Sequence, residues 1–282
     1  MSFNGKLPDV FSSDVTSVSD YMERIDKIQK YCGKAGGSDW ETFFRGDRYC
    51  AKTQSSFFRY GNIEDEAKNF EGWKMLQETK GVTFSDEFEA LAYMQHYQGN
   101  TRLLDFTRNC LVALRFACGA PGDNCRKKVT IYRTNYLQIS PTNIQKRRKI
   151  LESYLRLIKA EKPIDSDKEQ WKKDTFVEVR QNFPRIKRQE GLFLLMGNFT
   201  TEELLGNNTD SEKNTNKKVI HELSPNIGRG ENYPGYVGVL AIDAGSVEKI
   251  RNELEQTTCY RMDYLMTEEN ENENEVHSLC QP

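Results

Sequence analysis

Gln95-His-Tyr-Gln-Gly-Asn-Thr-Arg-Leu-Leu-Asp-Phe-Thr107 is the stretch on which the reading of this chain turns. On its N-terminal side Asp86, with Glu89 three residues on, opens a helix that runs to about His96, and Gly99 supplies the stop. Thr101–Thr107 then reads as a strand. Beyond it, Asn109 is suited to cap a short apolar helix, Leu111–Cys118, which Gly119 ends. In the strand, alternate side chains share a face, so Thr101, Leu103, Asp105 and Thr107 point one way and Arg102, Leu104 and Phe106 the other. Polar groups on both faces of a central strand are costly unless satisfied, so the run marks either a site or a hydrogen-bonded structural network.

Working outward, Ser17-Val-Ser-Asp20 has capping-box spacing and opens an amphipathic helix with Val18, Met22, Ile25 and Ile28 on one stripe, ended by Gly33, Gly36 and Gly37. Trp40–Gly46 alternates and is rich in aromatics, as a strand should be. Helices are expected over Glu64–Lys80, Asn143–Ala160, Ser166–Gln181 and Ser246–Gln256, and strands over Lys128–Arg133, Gly191–Met196, Lys218–Leu223 and Tyr236–Asp243. Asn198–Lys218 is polar and reads as a mobile loop, and the Glu/Asn-rich tail has too little apolar surface to fold. Helices and strands mix without a βαβ rhythm, which gives an α+β fold. The expected organisation is one domain over residues 1–266, with a helical insertion at about 143–181 and the loop at 198–218, followed by a disordered acidic tail at 267–282.

With 282 residues the chain can bury a core without disulfides or a structural metal. Its 11% aromatic content is too high for a disordered chain despite 29% charged residues. A formal net charge of −2 removes any global pull toward nucleic acid or anionic membrane. No run of apolar residues is long enough to span a membrane, and the N-terminus does not read as a signal peptide. The seven cysteines, at 32, 50, 110, 118, 125, 259 and 280, form no Cys-x-x-Cys and read as reduced thiols of a cytoplasmic protein. His96, His221 and His277 are far apart, so no metal site is expected.

Several residues carry a chemical reading beside a bland one. Arg45 precedes Gly46, which lets a backbone or ligand come close; its fork suits a phosphate, or a salt bridge to Asp105. His96, in the last turn of its helix, can bind a phosphate or ribose hydroxyl, or cap the final carbonyls. Glu190, at a strand start, is either catalytic or merely exposed. The basic run Lys146–Lys149 is a solvated helix end or a phosphate contact, and Cys118 and Cys125 have no metal or redox spacing.

At Phe44-Arg45-Gly46, Gln95–Thr107, Val112-Ala-Leu-x-Phe-Ala117, Arg185, Gln189-x-Gly191-x-Phe193 and Val239–Leu254 the chain resembles the FRG (Phe-Arg-Gly) family over about residues 17–260. It departs at Phe106, where the family usually has Trp, at Gln98 and Asn100, and at Cys110, where Pro is favoured. A weaker similarity is to ADP-ribosyltransferases. These carry an Arg or His on an early strand, hydroxyl residues on a strand that runs into a helix of small residues, and a Glu on a late strand. Arg45, then Asp105-Phe-Thr107 before Val112–Phe116, then Gln189-Glu190 follow that order, although Ser-Thr-Ser is missing.

The fold this similarity implies is a split, mixed or antiparallel β-sheet core with flanking helices. Breaking the nicotinamide–ribose bond of NAD develops an oxocarbenium-like cation, which a carboxylate stabilises while a cation anchors the diphosphate. On that basis Glu190, Asp105 and Gln189 are the catalytic candidates. Arg45, Gly46, His96, Tyr97, Thr101, Arg102 and Thr107 are the candidates for holding NAD, with Tyr97 and Phe106 as stacking surfaces. The resemblance implies an NAD-dependent transferase that modifies a protein or nucleic acid, in toxin or defence biology, with an inhibitory partner protein as one expectation. The alternatives are a non-catalytic nucleotide- or partner-binding module and a metal-dependent nuclease using Asp165 and Glu178.

Overall fold

Backbone at Gly46 meets backbone of a helix, and that contact organises the sheet. The computed structural model of the chain describes residues 10–33, 40–49, 55–57, 66–96, 99–135, 144–158, 175–178, 184–196 and 235–267. Strand β1 (Trp40–Arg48) runs two residues past Gly46. It packs on helix α4 (Cys110–Cys118) so closely that a Cβ at Gly46 would stand 2.0 Å from the Ala113 carbonyl oxygen. Asn109 caps α4 as its sequence position demands, its side chain accepting from the amides of Leu111 and Val112.

Six strands among the described residues form one sheet in the order β4 (Thr175–Val177), β5 (Gly191–Leu195), β2 (Leu103–Thr107), β1, β3 (Lys127–Asn135) and β6 (Gly235–Ile242). Every described strand pair is antiparallel, so the mixed alternative falls away; a single isolated bridge, Val15 with Ile242, is parallel. β1 registers with β3 at nine positions, and β2 with β5 at five. Between β1 and β2 only Phe44 and Thr107 register, so the sheet is nearly parted there.

Two cores on the helix-covered face follow that division. Over β1, β3 and β6, Phe44, Ile131 and Leu240 pack with α1 (Val18–Gly33), α4 and α7 (Val247–Glu255). Over β2, β5 and β4, Leu103, Phe193 and Val177 pack with α2 (Glu66–Thr79), α3 (Glu87–His96) and α5 (Ile144–Ile158). In α1 the buried stripe is Tyr21, Ile25 and Ile28, whereas Met22 stays 39% exposed. The other face is concave. Phe43, Phe106, Tyr132 and Phe176 meet there, with the Tyr132 and Phe176 rings 6.2 Å apart. In a flat sheet β3 and β4 would be about 19 Å apart, so the sheet curls until its ends converge.

Three buried cations meet near the C-terminal end of α4, where the helix dipole favours positive charge. Arg115 donates to the Gly119 carbonyl and Arg251 to that of Cys118, while Lys127 pairs with Asp123. Burial pushes the Cys118 thiol up to about 11, although Arg251, Arg115 and Lys127 pull the other way.

Ser166–Gln181 is not helical throughout, since Thr175–Val177 is the edge strand β4. Two five-residue helices, α6 (Pro184–Arg188) and α8 (Met262–Met266), are additions to the sequence reading. The expected loop 198–218, the strand 218–223 and the tail beyond Thr267 lie outside the described residues.

Candidate functional site

The parting of β1 from β2 places polar side chains where backbone pairing stops. Arg45 lies on β1, one residue beyond the registered Phe44, and its Nη1 donates to the Asp105 carbonyl oxygen at 2.8 Å. The same guanidinium grips Asp47, with Nε to Oδ2 at 2.8 Å and Nη2 to Oδ1 at 3.3 Å. Asp105 is the exposed residue of an otherwise buried strand. Its carboxylate stands 3.8 Å from Arg45 Nη1 and accepts from Gln95 Nε2 at 3.0 Å. Gln95 comes from α3 and is oriented by the Thr101 hydroxyl, which donates to its Oε1 at 2.7 Å. Thr101 also accepts from the Leu103 amide, so it sets the position of Gln95 from within the core.

A second polar group gathers at the end of β2. The Thr107 hydroxyl donates to the Gln189 carbonyl at 2.6 Å and accepts from the Asn109 amide. Glu190 follows α6 with φ 47°, the only positive φ outside glycine among the described residues. Its amide donates to the Lys187 carbonyl, its carbonyl accepts from the Arg108 amide, and its Oε1 accepts from Asn109 Nδ2 at 2.9 Å. Glu190 is exposed, and its charge acts on Cys110 and Tyr260. Burial pushes the Cys110 thiol up, and the Glu190 charge adds to that shift. Burial likewise raises the Tyr260 hydroxyl, with the neighbouring Asn109 side chain pulling the other way. Phe44, Thr107 and Gly191 stand in one row across β1, β2 and β5. From strand spacings, the Cα atoms of Arg45 and Glu190 are about 12 Å apart.

Other expected site residues go elsewhere. The Gln189 side chain donates to the Leu265 carbonyl at 2.9 Å. Arg102 is fully buried, with its guanidinium carbon 4.6 Å from the centre of the Phe57 ring. His96 closes α3 and is half-buried. Phe106 is packed into the concave aromatic cluster, and Tyr97 lies outside the described residues. Gly46 meets Ala113 and Ala117 of α4, so the space beside it is taken by backbone. Glu178 pairs with Arg108 at 3.1 Å, Asp165 lies outside the described residues, and no group of three or more His, Cys, Asp or Glu among the described residues could hold a metal. In the basic run, Arg148 pairs with Glu152 at 2.8 Å.

Sequence reasoning did not single out Asp47, Gln95 or Asn109 as site residues. Gln95 had a local signal: it is the last-turn glutamine six residues ahead of Thr101, which lies just before β2. Asp47 is two residues after Arg45, on the same side of the strand, where a charge pair is expected.

Fold and site together define an α+β chain with a curled antiparallel sheet and an arginine–carboxylate group at its seam. Residues 41–126 match the FRG domain, and the chain carries that domain there. The match covers Arg45, Asp105 and α4 but ends before β3, so Gln189, Glu190 and Val239–Leu254 lie beyond it. No curated protein and no solved structure matches the chain. Among the described residues, no helix is long and apolar enough to cross a membrane.

Proposed function

We propose that the seam between β1 and β2 binds NAD and that the chain transfers its ADP-ribose, with Glu190 as the carboxylate that stabilises the reacting ribose. The observation that carries this reading is the backbone of Glu190. A non-glycine residue held at positive φ costs about 1–3 kcal/mol and persists only where its surroundings fix it. Here the surroundings are the amide and carbonyl bonds to Lys187 and Arg108 and the side-chain bond from Asn109. Glu190 is bonded there by a neutral amide, whereas Asp105 lies 3.8 Å from a guanidinium. A carboxylate already offset by a cation does less for a developing positive charge, which favours Glu190 over Asp105.

In the step itself the ribose C1′–nicotinamide nitrogen bond breaks and its electron pair leaves with nicotinamide. A nucleophile on a protein or nucleic-acid acceptor bonds to C1′ and gives up its proton. Arg45 supplies the fork for the diphosphate, which competes with Asp47 for the same donors. Thr107 and Asn109 hold the turn that presents Glu190.

A second reading has its own observation. Arg45 is engaged by Asp47 and by the Asp105 carbonyl, and Gly46 is filled by α4, as in a purely architectural motif of a non-catalytic binding module. Nicotinamide release and NAD affinity of the full chain, with candidate protein and nucleic-acid acceptors, separate the two. The transferase reading expects Glu190→Gln to lower turnover about a hundredfold with NAD affinity kept, and Arg45→Lys to weaken affinity about tenfold. Full turnover in Glu190→Gln with none in a stable Asp105→Asn would move the role to Asp105. NAD binding without nicotinamide release supports the binding module, and neither binding nor release removes the transferase reading.

A further inference from the structure

The residues after α7 run back to the two residues that precede Glu190. Tyr260, in the single turn Thr258–Tyr260, packs against the core that α4 helps to form. Farther on, Leu265 of α8 is completely buried and its carbonyl accepts from Gln189 Nε2 at 2.9 Å. Arg188 then donates to the Thr267 carbonyl at 2.7 Å, and its guanidinium lies 5.2 Å from the Tyr264 ring centre. The residue before Glu190 and the residue before that are therefore both tied to a single segment that is distant in sequence.

A left-handed glutamate needs this kind of support. Left to local preference, a non-glycine residue at the end of a five-residue helix returns to negative φ. The backbone of Gln189 is held by the Thr107 hydroxyl on its carbonyl, and its amide donates to Arg185. With its side chain fastened to α8, both ends of Gln189 are fixed, and the direction in which the next residue leaves is set.

We infer that residues 258–267 form a strap that positions Glu190, and that Gln189 is a positioning residue rather than a catalytic one. The inference rests on the reading of Glu190 as the working carboxylate only for its effect on turnover; its effect on the turn can be read without any activity.

Two variants of the full chain test it. Gln189→Leu removes the amide at nearly unchanged size, and Leu265→Ala loosens the strap from the other side without touching the turn. Hydrogen exchange at the Arg108 amide, which is bonded to the Glu190 carbonyl, reports the turn; amides of β1 and β3 serve as the internal reference. The expected result in both variants is exchange at Arg108 at least tenfold faster with the reference amides unchanged. Nicotinamide release should show kcat lowered about tenfold at unchanged KM for NAD. Unchanged exchange at Arg108, or exchange accelerated equally through β1 and β3, overturns the strap. A shift in KM as large as that in kcat overturns the positioning role of Gln189. If the wild type releases no nicotinamide, the transferase reading fails while the exchange measurement still decides the strap.

Discussion

Gly46 is where a single missing methyl group matters most. Its Cβ would lie 2.0 Å from the Ala113 carbonyl oxygen and 2.5 Å from the Ala117 nitrogen, both backbone atoms that cannot swing aside. Gly46→Ala must push α4 off β1, and with it the core formed by Phe44, Leu114 and Ala117. A loss of about 3 kcal/mol in chemical denaturation is expected, at the upper end for overpacking. Unchanged stability would mean that α4 is free to move away from the sheet. Arg45 beside it serves the opposite purpose, since its guanidinium reaches across to Asp105 where backbone pairing between β1 and β2 stops. The Phe-Arg-Gly triplet thus joins a core residue, a cross-seam donor and a contact with no room for a side chain.

Elements that the sheet does not pair directly are fastened by Arg108. Its guanidinium pairs with Glu41 on β1 at 3.1 Å and with Glu178 just after β4 at 3.1 Å, and lies 5.7 Å from the Phe43 ring centre. Burial alone would lower its basicity, but Glu178 and Glu41 together raise it above the ordinary arginine value. Arg108→Met should cost about 2 kcal/mol by thermal or chemical denaturation, less than a fully buried pair because the group is partly exposed. Glu178→Gln should show a smaller loss, and no effect from either variant would mean that the curl is held by the aromatic rings alone. At this scale the sequence was legible where chemistry is local. Asn109 caps α4, Gly99 donates to Met94 at the end of α3, and the Glu89 amide finds Asp86. It was not legible where the signal is short or distant. β4 has three residues, too few for a period of two, and its Phe176 gains its meaning only from rings on β1, β2 and β3. Arg45 and Asp105 could be paired from their strands, but the Gln189 side chain is claimed by a helix 76 residues farther on.

For the whole molecule, the last tie to the fold that the described residues contain is the Thr267 carbonyl in the grip of Arg188. Deleting residues 268–282 should leave the melting temperature within about 1 °C of the full chain, because an Asn/Glu-rich tail offers little apolar surface to bury. A drop of several degrees would show that the tail docks. The parting between β1 and β2 has a further consequence, for how the chain comes together. β1, β3 and β6 lie on one side of it and β2, β4 and β5 on the other, so the chain crosses over again and again as it is laid down. Neither side is a continuous piece of sequence. No early segment can complete its own half and wait for the next, and folding must proceed through contacts of high sequence separation, which is slow. Residues 41–126, which carry the family match, hold β1 and β2 but neither β3 nor β5, and so possess two strands that share a single registered pair. The stretch that identifies the domain is therefore not a unit of folding: excised from its neighbours it would lack the partner strands that give each of its own strands most of its hydrogen bonds.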